Sequence, residues 1–336
     1  MTNPLVSVVM AVYNSDKYLK LAIDSILNQS YKNLEFLIIN DGSTDNSREI
    51  ILSYTDPRLR YLENSKNSGI VFSRNRSIDE AKGKYIAVID SDDISLPFRI
   101  EKQIEFLESQ PEYGMCGTFY KVIDSSGKIL YKNHFPTTDT DIKAYLFFGN
   151  SFCHSTVMMR TELVRMFKYS TEYQLCEDYY LWQELAQVTK LKNLPIYSTL
   201  YRIHNSNVSF TRQNEMFREI SKINAANLNS IQIPFTENEL IIHGHFLNFN
   251  YAYFKDQVKF KQLEEWIIKL FSYLHKEKKF NKIVITNFLL RRWFVISIRT
   301  KNYNNFINLK LLLKNKIFYL RFITEKFIDS IKNVKK

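Results

Sequence analysis

Three carboxylates follow one apolar run within four positions of the chain. The stretch YIAVIDSDD, residues 85–93, ends in Asp90, Asp92 and Asp93. Like charges placed this close destabilise one another unless a cation or hydrogen-bond donors compensate them. Carboxylate oxygens suit Mg²⁺ or Mn²⁺, and a diphosphate can complete the coordination shell of either ion. The cluster therefore predicts a metal and nucleotide site, although side chains that merely cap the helix after Pro97 would give the same pattern.

Strand-like runs and helical patterns alternate around this cluster. Apolar runs at 5–12, 34–39 and 85–89 are typical of strands buried on both faces of a parallel sheet. In open parallel sheets, ligands bind beyond the carboxyl ends of the strands, where helix N-termini also point. The side chains predicted to lie at that rim are Tyr13, Asp41 and Asp90.

The alternation predicts an α/β fold with a Rossmann-like, mostly parallel central sheet and flanking helices. From residue 113 the pattern becomes mixed, with SSGK at 125–128 as a hairpin turn. Beyond residue 210 it is almost wholly helical, so we predict a catalytic domain over 1–210 and a helical, basic region over 211–336. The first strand is not followed by a glycine-rich phosphate loop, which argues against a nicotinamide-dependent enzyme.

The positive charge is concentrated in the last part of the chain. The net charge is +11, yet residues 259–336 hold 19 basic against 5 acidic residues, whereas residues 1–258 hold 27 against 30. Cationic residues mixed with Leu, Ile, Phe and Trp fit helices on an anionic membrane surface. There are alternatives to this membrane interpretation of the basic region. It could be a solvated helical bundle, or a face that binds a partner or forms a dimer, or the chain could be an inactive α/β protein that binds nucleic acid. No RNA-recognition, homeodomain, zinc-finger or KH signature supports nucleic-acid binding.

The cysteines and the hydropathy pattern indicate the compartment. Cys116, Cys153 and Cys176 are widely spaced and form no CxxC pair, so neither a disulfide framework nor a zinc site is expected. Neither an export signal nor a run of about 18 apolar residues is present. We therefore expect a cytoplasmic protein, with peripheral contact at the inner face of the cytoplasmic membrane.

Five stretches together carry a family resemblance. They are PLVSVVMAVYN at 4–14, NDGSTDNS at 40–47, GIVFSRN at 69–75, YIAVIDSDD at 85–93 and CED at 176–178. In this order and spacing they resemble family 2 of the inverting bacterial glycosyltransferases, whose nucleotide-binding domain has the GT-A fold. The resemblance covers residues 4 to about 210.

The resemblance implies that the protein transfers a hexosyl or N-acetylhexosaminyl group from a nucleotide sugar to a hydroxyl group. The nucleotide sugar is expected to be a UDP-sugar. The acceptor would be a saccharide or a polyprenyl-diphosphate-linked saccharide in bacterial surface polysaccharide synthesis. Mn²⁺ or Mg²⁺ would be the cofactor.

The resemblance also implies roles for residues that bind the nucleotide. Tyr13 and the backbone near Ala11 would contact the base, and Asp41 would accept a hydrogen bond from the uracil N–H group, which favours uridine or thymidine over cytidine. Arg74 would pair with Asp90 or approach phosphate. An Asx-type turn at Asp41 and a core position for Tyr13 are structural alternatives.

At the diphosphate, the resemblance assigns Asp92 to direct metal coordination and Asp90 to the ribose side of the nucleotide, with Asp90 as a second metal ligand. His204 would be a further metal ligand or a phosphate donor, because imidazole serves either role. Arg202 would meet the diphosphate.

On the acceptor side, the resemblance makes Asp178, next to Glu177, the general base that removes the proton of the attacking hydroxyl. His154 matches a stretch near the acceptor. Direct displacement would invert the anomeric centre, so an α-linked donor would give a β-linked product. Two carboxylates at a helix start are also favourable with the helix dipole alone, which is the structural alternative for this pair.

Overall fold

The computed structural model describes residues 3–205, 207–277 and 280–302. The chain divides into two compact units, Met1–Pro234 and Phe235–Lys336. The first unit contains all the described strands, whereas the described part of the second is helical.

One mixed sheet of nine described strands forms the centre of the N-terminal unit. The strands are β1 (Val6–Val12), β2 (Leu34–Asn40), β3 (Leu59–Glu63), β4 (Tyr85–Val88), β5 (Ile94–Ser95), β6 (Tyr113–Ile123), β7 (Ile129–Asn133), β8 (Met158–Arg160) and β9 (Lys190–Arg202). Their order is β3-β2-β1-β4-β8-β6-β9-β5, and β7 pairs with β6. Strands β1 to β4 pair in parallel, as do β6 and β9, while β8 is antiparallel to both neighbours. The predicted α/β class is confirmed.

Helices cover the sheet of this unit. They are α1 (Asp16–Leu27), α2 (Ser47–Leu52), α3 (Ile70–Glu80), α4 (Arg99–Ser109), α5 (Asp139–Leu146), α6 (Thr161–Phe167), α7 (Glu177–Val188), α8 (Val208–Thr211) and α9 (Gln213–Ser230), with a 3₁₀ turn at His154–Thr156. Successive side chains of a strand point to opposite faces, so β1 contributes to two cores. Val8 and Met10 pack with Leu19 of α1 in one core, and Val9 packs with Ile78 of α3 in the other.

The N-terminal unit extends past the predicted boundary at residue 210. Helix α9 belongs to it because Ile223 is buried in the same apolar cluster as Trp182 of α7. The local helical pattern after residue 211 does not show which core a helix joins, since that depends on packing over long sequence distances.

The C-terminal unit contains helices α10 (Glu237–Leu247), α11 (Gln257–Leu274) and α12 (Lys282–Thr300). Thr236 and Glu239 form a reciprocal capping box that begins α10. The apolar stripe of α11, including Trp266 and Leu270, is buried. The predicted helical character is confirmed for these residues, while residues 303–336 lie outside the described part. None of the described helices is long and apolar enough to span a bilayer.

Candidate active site

The loops after β1 and β2 hold each other through Asn14. Its backbone N–H donates to Ser43 Oγ at 3.0 Å, and its side-chain Oδ1 accepts from Thr44 N at 2.8 Å. Asn14 adopts a left-handed conformation with φ of 48°, which Asn tolerates better than most residues. The turn leaves the Tyr13 ring 46% exposed at the rim, while Ala11 is half-buried on β1.

Asp41 follows β2 and is almost fully buried. Its Oδ1 accepts from Asn64 Nδ2 at 2.6 Å and from Ser68 N at 3.0 Å, and its Oδ2 accepts from Gly69 N at 2.9 Å. Gly69 is the residue before α3. The carboxylate therefore fixes the loop that begins α3, and one of its roughly four acceptor positions stays open on Oδ2.

Asp90 lies just beyond β4 and is surrounded by donors. Arg74 Nη2 lies 2.9 Å and His154 Nδ1 3.2 Å from its Oδ1, and Ser155 Oγ donates to its Oδ2 at 3.0 Å. Burial opposes ionisation, but the interactions with His154 and with the Arg74 guanidinium and these hydrogen bonds outweigh it, so the pKa of Asp90 lies well below its ordinary value. These contacts therefore favour the carboxylate form of Asp90.

Arg74 bridges two parts of the site. One guanidinium nitrogen pairs with Asp90, and the other pairs with Glu177, the first residue of α7. The side chain is 12% exposed, and its guanidinium lies 5.7 Å from the centre of the Tyr169 ring. The predicted pairing of Arg74 with Asp90 is present, and the second carboxylate makes Arg74 a link between the end of β4 and the start of α7.

Asp92 and His204 approach each other across the site. His204 Nε2 lies 2.9 Å from Asp92 Oδ2, and both side chains are partly exposed, at 15% and 23%. Burial and then the negative charge of Asp90 raise the pKa of Asp92, although His204 acts in the opposite direction. An oxygen and an imidazole nitrogen at the surface, beside excess negative charge, are a donor set that fits a divalent cation.

The three predicted metal ligands do not form one cluster. Asp90 directs its oxygens to protein donors, whereas Asp92 and His204 contact each other and are both partly exposed. In the described ranges, no group of three or more His, Cys, Asp or Glu side chains is arranged to hold a metal ion. The donor set therefore fits a cation that takes its remaining ligands from diphosphate and water.

Arg202 occupies a different place from the predicted diphosphate contact. It is 2% exposed, donates from Nε to Asp92 O at 2.9 Å and from its backbone N–H to Asp93 Oδ1 at 2.7 Å. Its guanidinium lies 4.4 Å from the centre of the Tyr18 ring. Burial, with the charges of Asp92 and Asp90, raises the pKa of Asp93 well above its ordinary value. Arg202 thus supports the loop of Asp92 and Asp93 from beneath.

Asp178 lies in the first turn of α7 and is half-buried. Its Oδ1 accepts from the backbone of Tyr179 at 2.6 Å, and its Oδ2 accepts from Asn150 Nδ2 at 2.8 Å. A carboxylate has about four acceptor positions, so each oxygen keeps one for another donor. The two bonds fix the orientation of the carboxylate and leave it able to receive a proton.

Two supporting residues escaped the sequence analysis. Asn150 begins the stretch NSFCHSTVMMR that drew attention to His154, so its position was a usable signal. Glu219 of α9 accepts hydrogen bonds from the backbone of Leu175 and Cys176 at 2.8 and 3.1 Å, directly before α7. No local pattern marks Glu219, because its partners lie more than forty positions away.

His154 was predicted near the acceptor, and it lies between Asp90 and Tyr169.

Sequence comparison supports a family assignment. Residues 7–167 match the family described as glycosyl transferase family 2. An uncharacterised glycosyltransferase of Haemophilus influenzae is 33% identical over 244 residues, covering 67% of this chain and 73% of that protein. The Escherichia coli protein WfaP, named as a UDP-Glc:alpha-D-GlcNAc-diphosphoundecaprenol beta-1,3-glucosyltransferase, is 31% identical over 216 residues, which are 64% of this chain and 84% of WfaP.

Structural comparison supports the same fold. TarS 1–349 of Staphylococcus aureus, solved in complex with UDP, superposes with a TM-score of 0.58 at 18% sequence identity. The match covers 89% of this chain and 93% of that one. At this identity the likeness establishes the fold, and it agrees with the predicted GT-A class.

Proposed function

The chain belongs to glycosyl transferase family 2, and from that premise we propose that it transfers a sugar from a UDP-sugar to a hydroxyl of a lipid-linked saccharide, with inversion at the anomeric carbon. The observation that carries the proposal is the Arg74 bridge between Asp90 and Glu177. Because of it, the strand end that would hold the nucleotide and the helix that bears Asp178 are fixed to each other.

Asp178 is the proposed general base. The acceptor oxygen attacks the anomeric carbon while the bond from that carbon to the UDP oxygen breaks, and the hydroxyl proton passes to Asp178. Asn150 and the backbone of Tyr179 hold the carboxylate in place, which lowers the cost of reaching the reactive geometry. A single displacement needs no covalent enzyme intermediate and turns an α-linked donor into a β-linked product.

The proposed donor is a uridine nucleotide. The open acceptor position of Asp41 Oδ2 suits the N–H of uracil, with Tyr13 and the backbone near Ala11 beside the base. The carboxylate form of Asp90, with Ser155 as the side-chain donor to its Oδ2, suits a ribose hydroxyl. TarS was solved with UDP and WfaP is named for a UDP-glucose donor, which supports the same choice here.

For the diphosphate we propose a divalent cation, Mn²⁺ or Mg²⁺, with Asp92 and His204 as its protein ligands. When bound, the ion stabilises the negative charge that develops on the leaving UDP. Arg202 acts through Asp92, since its contacts are to the backbone and to Asp93. The imidazole of His204 favours Mn²⁺ over Mg²⁺.

The proposed acceptor is a saccharide on a polyprenyl diphosphate, as the name of WfaP states for that protein. An enzyme acting on such a lipid works at a membrane surface. The excess of basic residues from residue 259 onward is consistent with peripheral attraction to anionic lipids.

The test measures UDP affinity by calorimetry, with and without Mn²⁺, and transfer from a panel of nucleotide sugars to a short polyprenyl-diphosphate saccharide. The wild-type protein should bind UDP more tightly with Mn²⁺ and transfer from one or more UDP-sugars. Asp178→Asn should keep the UDP affinity and lose about 10²-fold or more in transfer, as expected for a lost general base. Asp92→Ala should lose the effect of Mn²⁺ on UDP binding.

Asp24→Asn, at a carboxylate on α1 that bonds Tyr54, is the matched control and should leave UDP affinity and transfer unchanged. Undiminished transfer by Asp178→Asn would remove Asp178 from the mechanism. Equal UDP binding with Mn²⁺ and with a chelator would reject the metal.

A further inference from the structure

Strand β7 exposes three consecutive large apolar side chains. Ile129, Leu130 and Tyr131 are 49%, 45% and 55% exposed, and β7 pairs with β6 alone among the described strands. Single exposed apolar residues are ordinary on proteins, whereas a contiguous run on an edge strand marks a contact surface or an aggregation hazard. We call residues 121–133, the end of β6 with β7 and their turn, the hairpin.

The exposed side chains belong to the outer strand of the hairpin. The register places Tyr131 opposite Val122 and Ile129 opposite Ile123, with a shift between the two pairs. Val122 and Ile123 are buried and also pair with β9. The apolar surface of the hairpin is therefore the free edge formed by β7, which a partner can cover without displacing β6.

The charges of the hairpin favour an anionic lipid surface over a second copy of the chain. Lys121, Lys128 and Lys132 are spaced around the apolar run, and the carboxylate of Asp124 is engaged within the turn by the backbone of Lys128 at 3.0 Å. Lysines with long apolar stems reach anionic headgroups while neighbouring apolar groups are buried. The hairpin already places Lys121 opposite Lys132, and antiparallel self-pairing of β7 about Leu130 would add Lys128 opposite Lys132. A second copy would therefore increase the positive charge at this edge, whereas anionic headgroups compensate it.

The hairpin is tied to the candidate active site. Arg202 donates from Nη1 to Asp124 O at 3.1 Å and from Nε to Asp92 O at 2.9 Å. One buried guanidinium therefore joins the hairpin turn to the loop that carries Asp92.

We propose that the hairpin docks into the headgroup region of an anionic membrane, with Ile129, Leu130 and Tyr131 at the boundary of the acyl chains. Tyrosine suits this boundary because its ring is apolar and its hydroxyl polar. The inference rests on the proposed function, since a lipid-linked acceptor presents its saccharide at that surface. It specifies which part of the N-terminal unit meets the membrane.

A fluorophore attached at Leu130→Cys tests the proposal. The three native cysteines are buried, so an environment-sensitive nitrobenzoxadiazole label reacts selectively at the new site. Vesicles of phosphatidylglycerol and phosphatidylcholine should shift its emission to shorter wavelength. Leu21→Cys on α1, where the native side chain is 52% exposed, is the matched control and should not respond. In unlabelled protein, Ile129→Ser with Leu130→Ser should weaken vesicle association in 0.5 M salt by about tenfold, since salt at this level screens the basic region.

The contrary outcomes are distinct. An unchanged emission at position 130, or an equal change at position 21, overturns the docking. A shift at position 130 that appears without vesicles as protein concentration rises assigns the hairpin to self-association instead. UDP affinity of the same labelled protein is measured without vesicles, so a wrong assignment of the donor is recognised separately from a wrong assignment of the hairpin.

Discussion

Two acidic regions lie on either side of Arg74 and are organised differently. In the loop after β4, Asp90, Asp92 and Asp93 lie within four positions, and each has its own partners. The pKa of Asp90 is lowered by its cationic and hydrogen-bond partners, whereas burial and neighbouring charge raise the pKa of Asp92 and Asp93. Three side chains of one type therefore differ in how readily they ionise, because they differ in burial and in access to cations.

At the start of α7, the contacts fix the orientation of a carboxylate, whereas in the loop after β4 they shift pKa values. Glu177 is buried against Arg74, and Asp178 is held by Asn150 and by the backbone of Tyr179. Its oxygens keep open acceptor positions, which a proton-accepting group requires. The two regions therefore differ in what their contacts control. In the loop after β4 the contacts shift the pKa of the carboxyl groups, and at the start of α7 they fix the orientation of one carboxylate.

The largest effect is expected from breaking the link between the two regions. Arg74→Ala leaves Asp90 and Glu177 without their shared cation, and loss of one partner of a buried ion pair costs about 3–5 kcal/mol of unfolding free energy. Transfer should fall by more than about 10²-fold, because the proposed donor site and the proposed base lose their common support. Urea unfolding and steady-state transfer rates measure the two losses.

Arg48→Ala is the matched control for Arg74. The Arg48–Glu63 pair is exposed, with side-chain exposures of 51% and 35%, and such pairs contribute about 0–1 kcal/mol. If both arginine variants cost the same unfolding free energy, Arg74 does not link the two regions as described.

A smaller effect is expected when only the orientation of the proposed base, Asp178, is disturbed. Asn150→Ala removes one hydrogen bond to Asp178 and should lower kcat by about tenfold, the equivalent of one such bond, with UDP affinity unchanged. Asn227→Ala removes an amide that donates to Phe147 O at 3.0 Å and should leave kcat unchanged. A parallel loss of UDP affinity in Asn150→Ala would show a general structural role.

The smallest expected effects are on the free energy of unfolding, and they have opposite signs for Asp90 and Asp93 in the loop after β4. The pKa of Asp90 is lowered by folding from its ordinary 3.8, so its ionisation stabilises the fold above that pH, and this contribution is lost as the pH falls. The pKa of Asp93 is raised from 3.8, so ionisation of the unfolded chain disfavours folding above that pH. Asp90→Asn should therefore destabilise and Asp93→Asn stabilise the chelator-treated protein at neutral pH, each by about 1 kcal/mol or more.

Chemical unfolding at several pH values measures both differences, which should shrink as the pH is lowered below about 3.8. The same sign for the two variants at neutral pH would contradict the division of charge within the loop.

The local elements were largely predictable. The apolar run at 5–12 predicts a strand, and β1 spans Val6–Val12. The run at 85–89 predicts another strand, and β4 spans Tyr85–Val88. Apolar spacing reports burial directly, so these elements follow from neighbouring residues. The placement of Asp41 and Asp90 beyond parallel strand ends follows from the same alternation.

The alternation of strands and helices, the positions of the acidic residues and the family can be inferred from the amino-acid sequence alone. The partners of the ionisable side chains depend on folding, since Arg74 meets Glu177 across 103 positions and Asp92 meets His204 across 112. Folding also buried Arg202 beneath the Asp92 loop, where the sequence had indicated a phosphate contact. Local patterns encode backbone conformation and burial, whereas the charge and contacts of an ionisable side chain depend on distant segments that only the folded chain brings together.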